Sequence, residues 1–506
     1  MKVFLGKGAD DLEAFIHIPF LSILLTILTS LIIPLFKDRN FARKLTIISF
    51  TTVIILSGIL IFYVSNIDGG YFTYQLGHYS APWANELRTG LFESILALTL
   101  SFVMLLSILG GKKSIQEDIK EGKQRYFYLI LNLLLAPILA LIYTNDLFTA
   151  YVFIEINAVA ACAIVVAKES KDTIKATIKY FVMSALGSGI YLFAISTLYS
   201  ITGHLAMSNM NEAISNISPD YYIPLTTAMV LIVVGLAVKS ALFPFHTWLP
   251  DAHGSATSTA SAIHSAVVLK GYIILLIKIL YRVYGLEMLE QLNILPVILV
   301  LGLLGMILGS IFALIQKDLK KMIAYSSVAQ IGYIYLGLGL GTSYGVAAAA
   351  FHIIVHAITK SMLFISGGNF LEIANSKKVE DLSGLGYIDP ISGASFLVGS
   401  LSMIGIPLFS GFISKLLFVN AALDSNMMII VLIALAISTL LNGMYYIPII
   451  LRLYNRENMK KNLNLSFKAK GIVKYSLIIL ITLNILLGLI SGPVVSALIE
   501  GFKNIG

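Results

Sequence analysis

Apolar runs of about 20 residues, separated by short polar connections, recur along almost the whole chain. They fall near 16–36, 45–65, 91–110, 127–143, 147–167, 176–201, 223–243, 256–281, 292–315, 322–340, 345–370, 391–422, 427–451 and 472–495. Each is long enough to cross the hydrocarbon layer as a helix. An all-α integral membrane protein of about fourteen transmembrane helices is therefore predicted. The leader Met1 to Glu13 is mixed in charge and no small-residue cleavage site follows the first run, so that run is expected to stay as a span.

Composition agrees. Of 506 residues, 58% are hydrophobic and 12% charged, against about a quarter charged in a soluble domain. One cysteine, Cys162, excludes a disulfide scaffold and a thiolate-held iron–sulfur cluster within the chain. A net charge of +8 reads as basic loops at one membrane face, not as a nucleic-acid surface. After odd-numbered spans come Lys37, Arg39, Arg43 and Lys44, then Lys112 to Arg125, then Lys168, Lys171 and Lys175. Later odd loops hold Lys317, Lys320, Lys321, Lys377 and Lys378, and seven more cations lie between Arg452 and Lys474. Even loops hold only Arg88 and Arg282, and the loop after span seven holds none. This asymmetry predicts a multi-pass membrane protein with an even number of spans and both termini outside the cytoplasm.

Six lysines fall inside spans: Lys179, Lys239, Lys270, Lys278, Lys360 and Lys415. Lys278 lies near a helix end, from which it can snorkel to the interface, and Lys179 lies about a turn inside its span. The others are deeper, where an ionisable group costs a few kcal/mol or more and usually marks function. Glu155, in DLFTAYVFIEINAVAACAIVV, reads as the sole deep acid in the first half, and Lys239 as its natural partner. A change in nearby charge would then release a proton from the lysine, whereas a static buried pair would stabilise little.

Lys239 sits in VGLAVKSALFPFHTWLPDAHGSATSTASA, where Pro244 and Pro250 predict a helix break. Freed backbone groups at such a break need protein or water, and interrupted helices mark ion sites in transporters. His246 and His253 follow, seven apart and with no third ligand evident, so a zinc site is a weak reading. In FHIIVHAITKSMLF, His352, His356 and Lys360 recur every fourth residue along one helix face. A hydrated proton relay accounts for all three better than a metal site does. His264 and Lys270 form a shorter stripe in SAIHSAVVLKGY. In GIPLFSGFISKLLF, Pro407 predicts a second break beside Lys415.

The chain reads as a duplication. Asp146-Leu147 and Asp318-Leu319 lie 172 positions apart, Lys239 and Lys415 176, and Lys179 and Lys360 181. Spans four to eight then match spans nine to thirteen, and an odd number of helices per unit inverts the copies. The expected divisions are a three-helix segment 1–125, a first five-helix half-channel 126–285, a second 286–455, and a closing loop and helix 456–506. The copies differ: Ser327 stands where the first has Glu155.

Together TNDLFTAYVFIEI, KSALFPFHTWLPDAH, QKDLKKMIAYSSVAQIGY, HIIVHAITKSMLF and GIPLFSGFISK resemble the antiporter-like subunits of respiratory complex I, membrane-bound hydrogenases and Mrp-type sodium/proton antiporters. The resemblance covers about residues 90–455. It implies fourteen helices with two inverted five-helix repeats and breaks in helices 7 and 12. It also implies a proton path through Glu155 and Lys239, then His264 and Lys270, then Lys360, and finally Lys415. His352 and His356 match histidines found in some members, and Lys179 and His246 are accessory positions. Where the family often has an aspartate near the start of the third span, NELRTGLFES offers Glu86 and Glu93 in another register. With fourteen spans and no long lateral helix, the chain resembles the roughly 500-residue members, and GIPLFSGFISK resembles the D-type Mrp and hydrogenase-associated members among them.

The expected function is proton translocation as one subunit of a multisubunit complex, with no cofactor or metal in this chain. The expected partners are other membrane subunits, with a hydrogenase or a ferredoxin- or NADH-linked redox module supplying energy, and sodium a second candidate ion. The alternative is an autonomous secondary transporter for an organic solute, which needs a midplane pocket. An oxidoreductase acting alone is disfavoured, because the sequence holds no dinucleotide-binding glycine motif after a strand.

Overall fold

The computed structural model describes residues 15–79, 84–457, 463–503 and 505, so the leader before the first span lies outside the described residues. Among these residues twelve helices are long and apolar enough to cross a membrane. We number the membrane helices α1 (Ile18–Ile32), α2 (Arg39–Val64), α3 (Leu91–Gly110), α4 (Glu121–Tyr143), α5 (Leu147–Val166) and α6 (Lys171–Thr202). Then come α7 in two pieces (Tyr222–Ser240 and Leu249–Ser255), α8 (Ser258–Gln291), α9 (Leu295–Leu314), α10 (Leu319–Gly339) and α11 (Ser343–Ala374). The chain closes with α12 in two pieces (Pro390–Ile404 and Ser410–Leu423), α13 (Met428–Leu453) and α14 (Ile472–Leu489). The two predicted spans outside the twelve are α10, which opens on Lys320 and Lys321, and α12, whose pieces are each short.

Local chemistry sets the helix boundaries. The Asp146 carboxylate accepts the Thr149 N–H at 2.6 Å, and Asp318 accepts that of Lys321 at 3.0 Å, so each aspartate caps a helix start. Asp146 bridges to Ala206 and Asp318 to Lys378 in isolated antiparallel contacts, each joining positions 60 apart. The same device thus recurs at the 172-residue offset read from the sequence.

Helix α7 ends where Ala241 takes a left-handed conformation, and α12 pauses at Gly405, also left-handed. Both predicted breaks are present. Helices α9 and α10 meet through glycines: a Cβ on Gly332 would lie 2.3 Å from the Met306 nitrogen. Such contact brings two backbones together where apolar side chains gain nothing by leaving lipid.

Helices α8 and α11 form the centre, with every residue of their most apolar stretches buried. Helix α8 contains two π-helical turns, His264–Val268 and Ile279–Tyr284. Exposed Leu, Ile and Phe side chains cluster on α1, α2, α6 and α13, as lipid-facing helices require.

Three sequence expectations change. A β-hairpin, β1 (Tyr71–Gln75) paired antiparallel with β2 (Glu86–Gly90), occupies a connection read as a loop. Lys278 does not snorkel: it is fully buried, and its ammonium donates to the carbonyls of Leu141, Ile142 and Thr144 at the end of α4. Those carbonyls have no partner within their own helix, so a lysine there replaces water. Lys320 and Arg282, counted as loop charges, are buried in helices; Lys320 donates to the Ala256 carbonyl at 2.6 Å.

Candidate functional site

The break in α7 builds the first part of the site. Lys239 occupies the last turn of its first piece, where the helix dipole favours a cation. Its ammonium donates to the Ser184 hydroxyl of α6 at 2.6 Å and lies 3.6 Å from a Glu155 carboxylate oxygen. Trp248, beyond the break, donates its indole N–H to the Val238 carbonyl at 3.1 Å, which also accepts the Ala241 N–H, and so ties the far side of the break to the end of the first piece. The predicted Glu155–Lys239 pair forms, but with unequal burial. Lys239 is 1% exposed, whereas the Glu155 side chain is 39% exposed at the edge of the chain. Glu155 therefore reaches inward from a lateral face, with the Oε1 nearest Lys239 buried.

Nor is it the only acid within the first half. Glu93, at the start of α3, is buried and pairs with Arg282 of α8 at 2.7 Å, and its second oxygen accepts the Gly90 N–H. In the sequence Glu93 stands aside because its register differs from the resembled pattern. Only the tertiary fold brings residues 189 positions apart together.

Helices α8 and α11 carry the middle of the site. His264 is fully buried, with ring centroids of Tyr180 and His253 each 5.1 Å away, and neither ring nitrogen has a protein partner. The sequence offers His253 only as a weak zinc ligand; the second piece of α7 carries it to His264. Lys270 donates to the Ser265 carbonyl, beside the first π-helical turn, and contacts Nδ1 of His356 across the α8–α11 interface. That π turn is the type of local irregularity common at functional sites.

His352 and His356 stack at 6.1 Å, and Nδ1 of His352 lies 2.7 Å from the Ser414 hydroxyl. Lys360 departs from the predicted line. Its ammonium turns away from the histidines to the Ile323 carbonyl at 3.0 Å, the Ser326 hydroxyl and the Tyr446 hydroxyl. Lys415 lies at the second break, donating to the Ile404 carbonyl at 2.6 Å and to Thr439 at 2.9 Å. Pro244 and Pro407 both fall within the interruptions that place these lysines.

The accessory positions lie apart. Lys179 is exposed and paired with Asp251 at 2.9 Å, which also holds Lys321. The His246 ring packs between Phe243 and Phe312. Among the described residues no group of three His, Cys, Asp or Glu side chains is placed to hold a metal ion.

Known proteins share this fold. Residues 144–441 match the family model described as NADH:quinone oxidoreductase/Mrp antiporter, TM. NADH-quinone oxidoreductase subunit N of Desulforudis audaxviator is 31% identical over 87% of this chain and 86% of its own. The D-type Na(+)/H(+) antiporter subunit of Alkalihalophilus pseudofirmus is 26% identical over 84% and 85%. In the structure of the membrane-bound sulfane sulfur reductase, an archaeal respiratory membrane complex, one chain is 26% identical. It superposes with a TM-score of 0.85 over 98% of both chains. With the matched segment spanning both broken helices and every ionisable position from Glu155 to Lys415, the chain belongs to the NADH:quinone oxidoreductase/Mrp antiporter transmembrane family.

Proposed function

We propose that this chain is the proton-translocating subunit of a multisubunit membrane complex. One observation carries the reading: a fully enclosed lysine, Lys239, stands at a helix break with a hydroxyl and a carboxylate against its ammonium. Lys239 holds the central proton and Glu155 modulates it. His264, Lys270 and Lys360 relay protons, with His352 and His356 between the halves, and Lys415 passes them on. Deep ionisable groups strung along two central helices suit protons better than an organic solute bound at one point.

No electron carrier is part of this reading, so the energy comes from a neighbour: a hydrogenase or a ferredoxin- or NADH-linked redox module, or a sodium gradient. The names of the relatives support membrane-subunit partners. The basic odd loops support both termini lying outside, and the organisms of the relatives support placement in a prokaryotic cell membrane. The recurrence of the Asp146 and Asp318 caps supports two inverted half-channels.

The test is ion pumping in inverted vesicles holding the native complex, followed with a pH dye, with and without sodium. Lys239→Ala is expected to stop acidification while the complex stays assembled; normal acidification would make the lysine structural. A sodium requirement in the wild type would favour the antiporter type. In the same assay Glu155→Gln is expected to slow pumping far more than Ser327→Ala. Ser327 bonds the Ser265 hydroxyl at 2.9 Å and has no charge to contribute. Equal defects would remove the proposed difference between the halves.

A further inference from the structure

Lys360 and the histidines one and two turns before it share a helix, yet their side chains have different neighbours. His356 contacts Lys270, and His352 bonds Ser414 beside Lys415. The histidines therefore link Lys270 to the second break without using Lys360. The ammonium of Lys360 instead meets Ser326 of α10 and Tyr446 of α13, whose hydroxyls are 2.8 Å apart. Helix α13 carries no residue singled out by sequence.

From Tyr446 a polar stripe runs back along α13 to Lys415. Tyr445 adjoins Tyr446, with ring centroids 4.7 Å apart. Its hydroxyl lies beside Ser326 and donates to the Asn442 oxygen at 2.5 Å. Asn442 is anchored in turn by donating to the Met403 carbonyl, just before the α12 break. The Tyr333 hydroxyl, buried, sits among Ser438, Thr439 and Asn442. Thr439 accepts from the Lys415 ammonium at 2.9 Å. Residues 446, 442 and 439 are four and three apart, so one face of α13 presents all of them. Tyr445, Tyr446 and Asn442 are buried, and so large a polar stripe inside a membrane bundle is costly unless used.

We propose that this face of α13 is a second proton arm, carrying protons from Lys360 to Lys415 beside the histidine arm from Lys270. A hydroxyl accepts one proton and gives up another, so Ser326, Tyr446, Tyr445, Tyr333 and Thr439 pass a proton without net change, with Tyr333 spanning the stretch from Tyr445 to Thr439. The Lys360 ammonium loses the proton that the Lys415 amine gains. Asn442 is a positioning residue: its oxygen aims the Tyr445 hydroxyl and its amide is tied to the α12 break. The arm rests on the proton-translocating reading above.

The experiment uses the native complex in inverted vesicles with a pH dye, and Lys239→Ala as control. Tyr446→Phe removes one hydroxyl and keeps the ring, and is expected to slow pumping to the rate that the histidine arm alone sustains, the same rate as Lys360→Ala. Ser326→Ala is expected to act in the same direction, and it decides the matter if Tyr446→Phe fails to assemble. Combined with Lys360→Ala, Tyr446→Phe is expected to add no further loss, because both lie on one arm. Combined with a histidine-arm variant, His352→Gln, it is expected to add. A further loss on top of Lys360→Ala would make Tyr446 merely structural and overturn the arm. Wild-type pumping by assembled Tyr446→Phe and Ser326→Ala, with Lys239→Ala inactive, would overturn the arm alone. Wild-type pumping by Lys239→Ala would overturn the proton reading and the arm with it.

Discussion

Arg282→Ala is expected to lower the stability of the folded chain by about 3–5 kcal/mol, the cost of leaving a buried charge without its partner. The guanidinium holds the Glu93 carboxylate at 2.7 Å, the Asn145 side-chain oxygen at 3.2 Å and the Ile505 carbonyl at 3.0 Å. Both charged side chains are 2% exposed, so water does not replace the lost partner. Lys278 does not fill the vacancy, since its ammonium is already committed to the end of α4. Thermal unfolding of the purified protein in detergent, followed by the monodisperse fraction on size exclusion, reads the effect. Removing both charges with Glu93→Gln and Arg282→Met is expected to recover part of the loss, because a neutral pair strands no ion. An Arg282→Ala protein that melts with the wild type would mean that the pair contributes nothing to the fold.

Gly411→Ala is expected to be the most damaging single-methyl change near the second break. A Cβ at residue 411 would lie 1.7 Å from the Ser402 carbonyl oxygen and 2.6 Å from its carbon. Both atoms are backbone of the first piece of α12, so no side chain can rotate away. The pieces must part instead, and overpacking of this type costs about 1–3 kcal/mol and sometimes more. The movement also reaches the site. Lys415 is one turn further on, and it reaches back to the Ile404 carbonyl of the first piece. Low yield of assembled complex and slow pumping by what does assemble are both expected. Gly189→Ala on α6, where nothing lies within 4 Å of the added carbon, is the matched control and is expected to behave as the wild type. If Gly411→Ala assembled and pumped like Gly189→Ala, the tight join would not govern the site.

What was legible in the sequence follows from what a single helix determines by itself. The two breaks and the depth of Lys239, Lys270, Lys360 and Lys415 depend on proline and on the cost of charge in lipid. Each is visible within a dozen residues. Helical spacing also placed His352, His356 and Lys360 on one face of α11 correctly. It did not show that a helix in the centre has neighbours on every side. His356 meets α8, whereas Lys360, one turn on, meets α10 and α13. The partners of Lys278 and Arg282 were equally hidden, because a lysine near a helix end looks the same whether it snorkels or caps another helix. Glu155 shows a further limit: its place in the middle of an apolar run does not say which face of the bundle it occupies, and its side chain is partly exposed at a lateral face.

The enclosure of the apolar stretch of α8 has a consequence for synthesis. This helix carries Lys270, Lys278 and Arg282, and lipid is a poor solvent for all three. When α8 first leaves the ribosome, the His356 that meets Lys270 has not yet been made, nor has α11, which packs against it. Earlier helices can already supply Glu93 and the carbonyls of α4 to its C-terminal half, but Lys270 in the N-terminal half must wait 86 more residues for His356. A segment in that position gains little by partitioning alone. Its retention beside the nascent bundle until the second half arrives makes insertion of this protein a cooperative event, closer to closing a core than to threading helices one at a time.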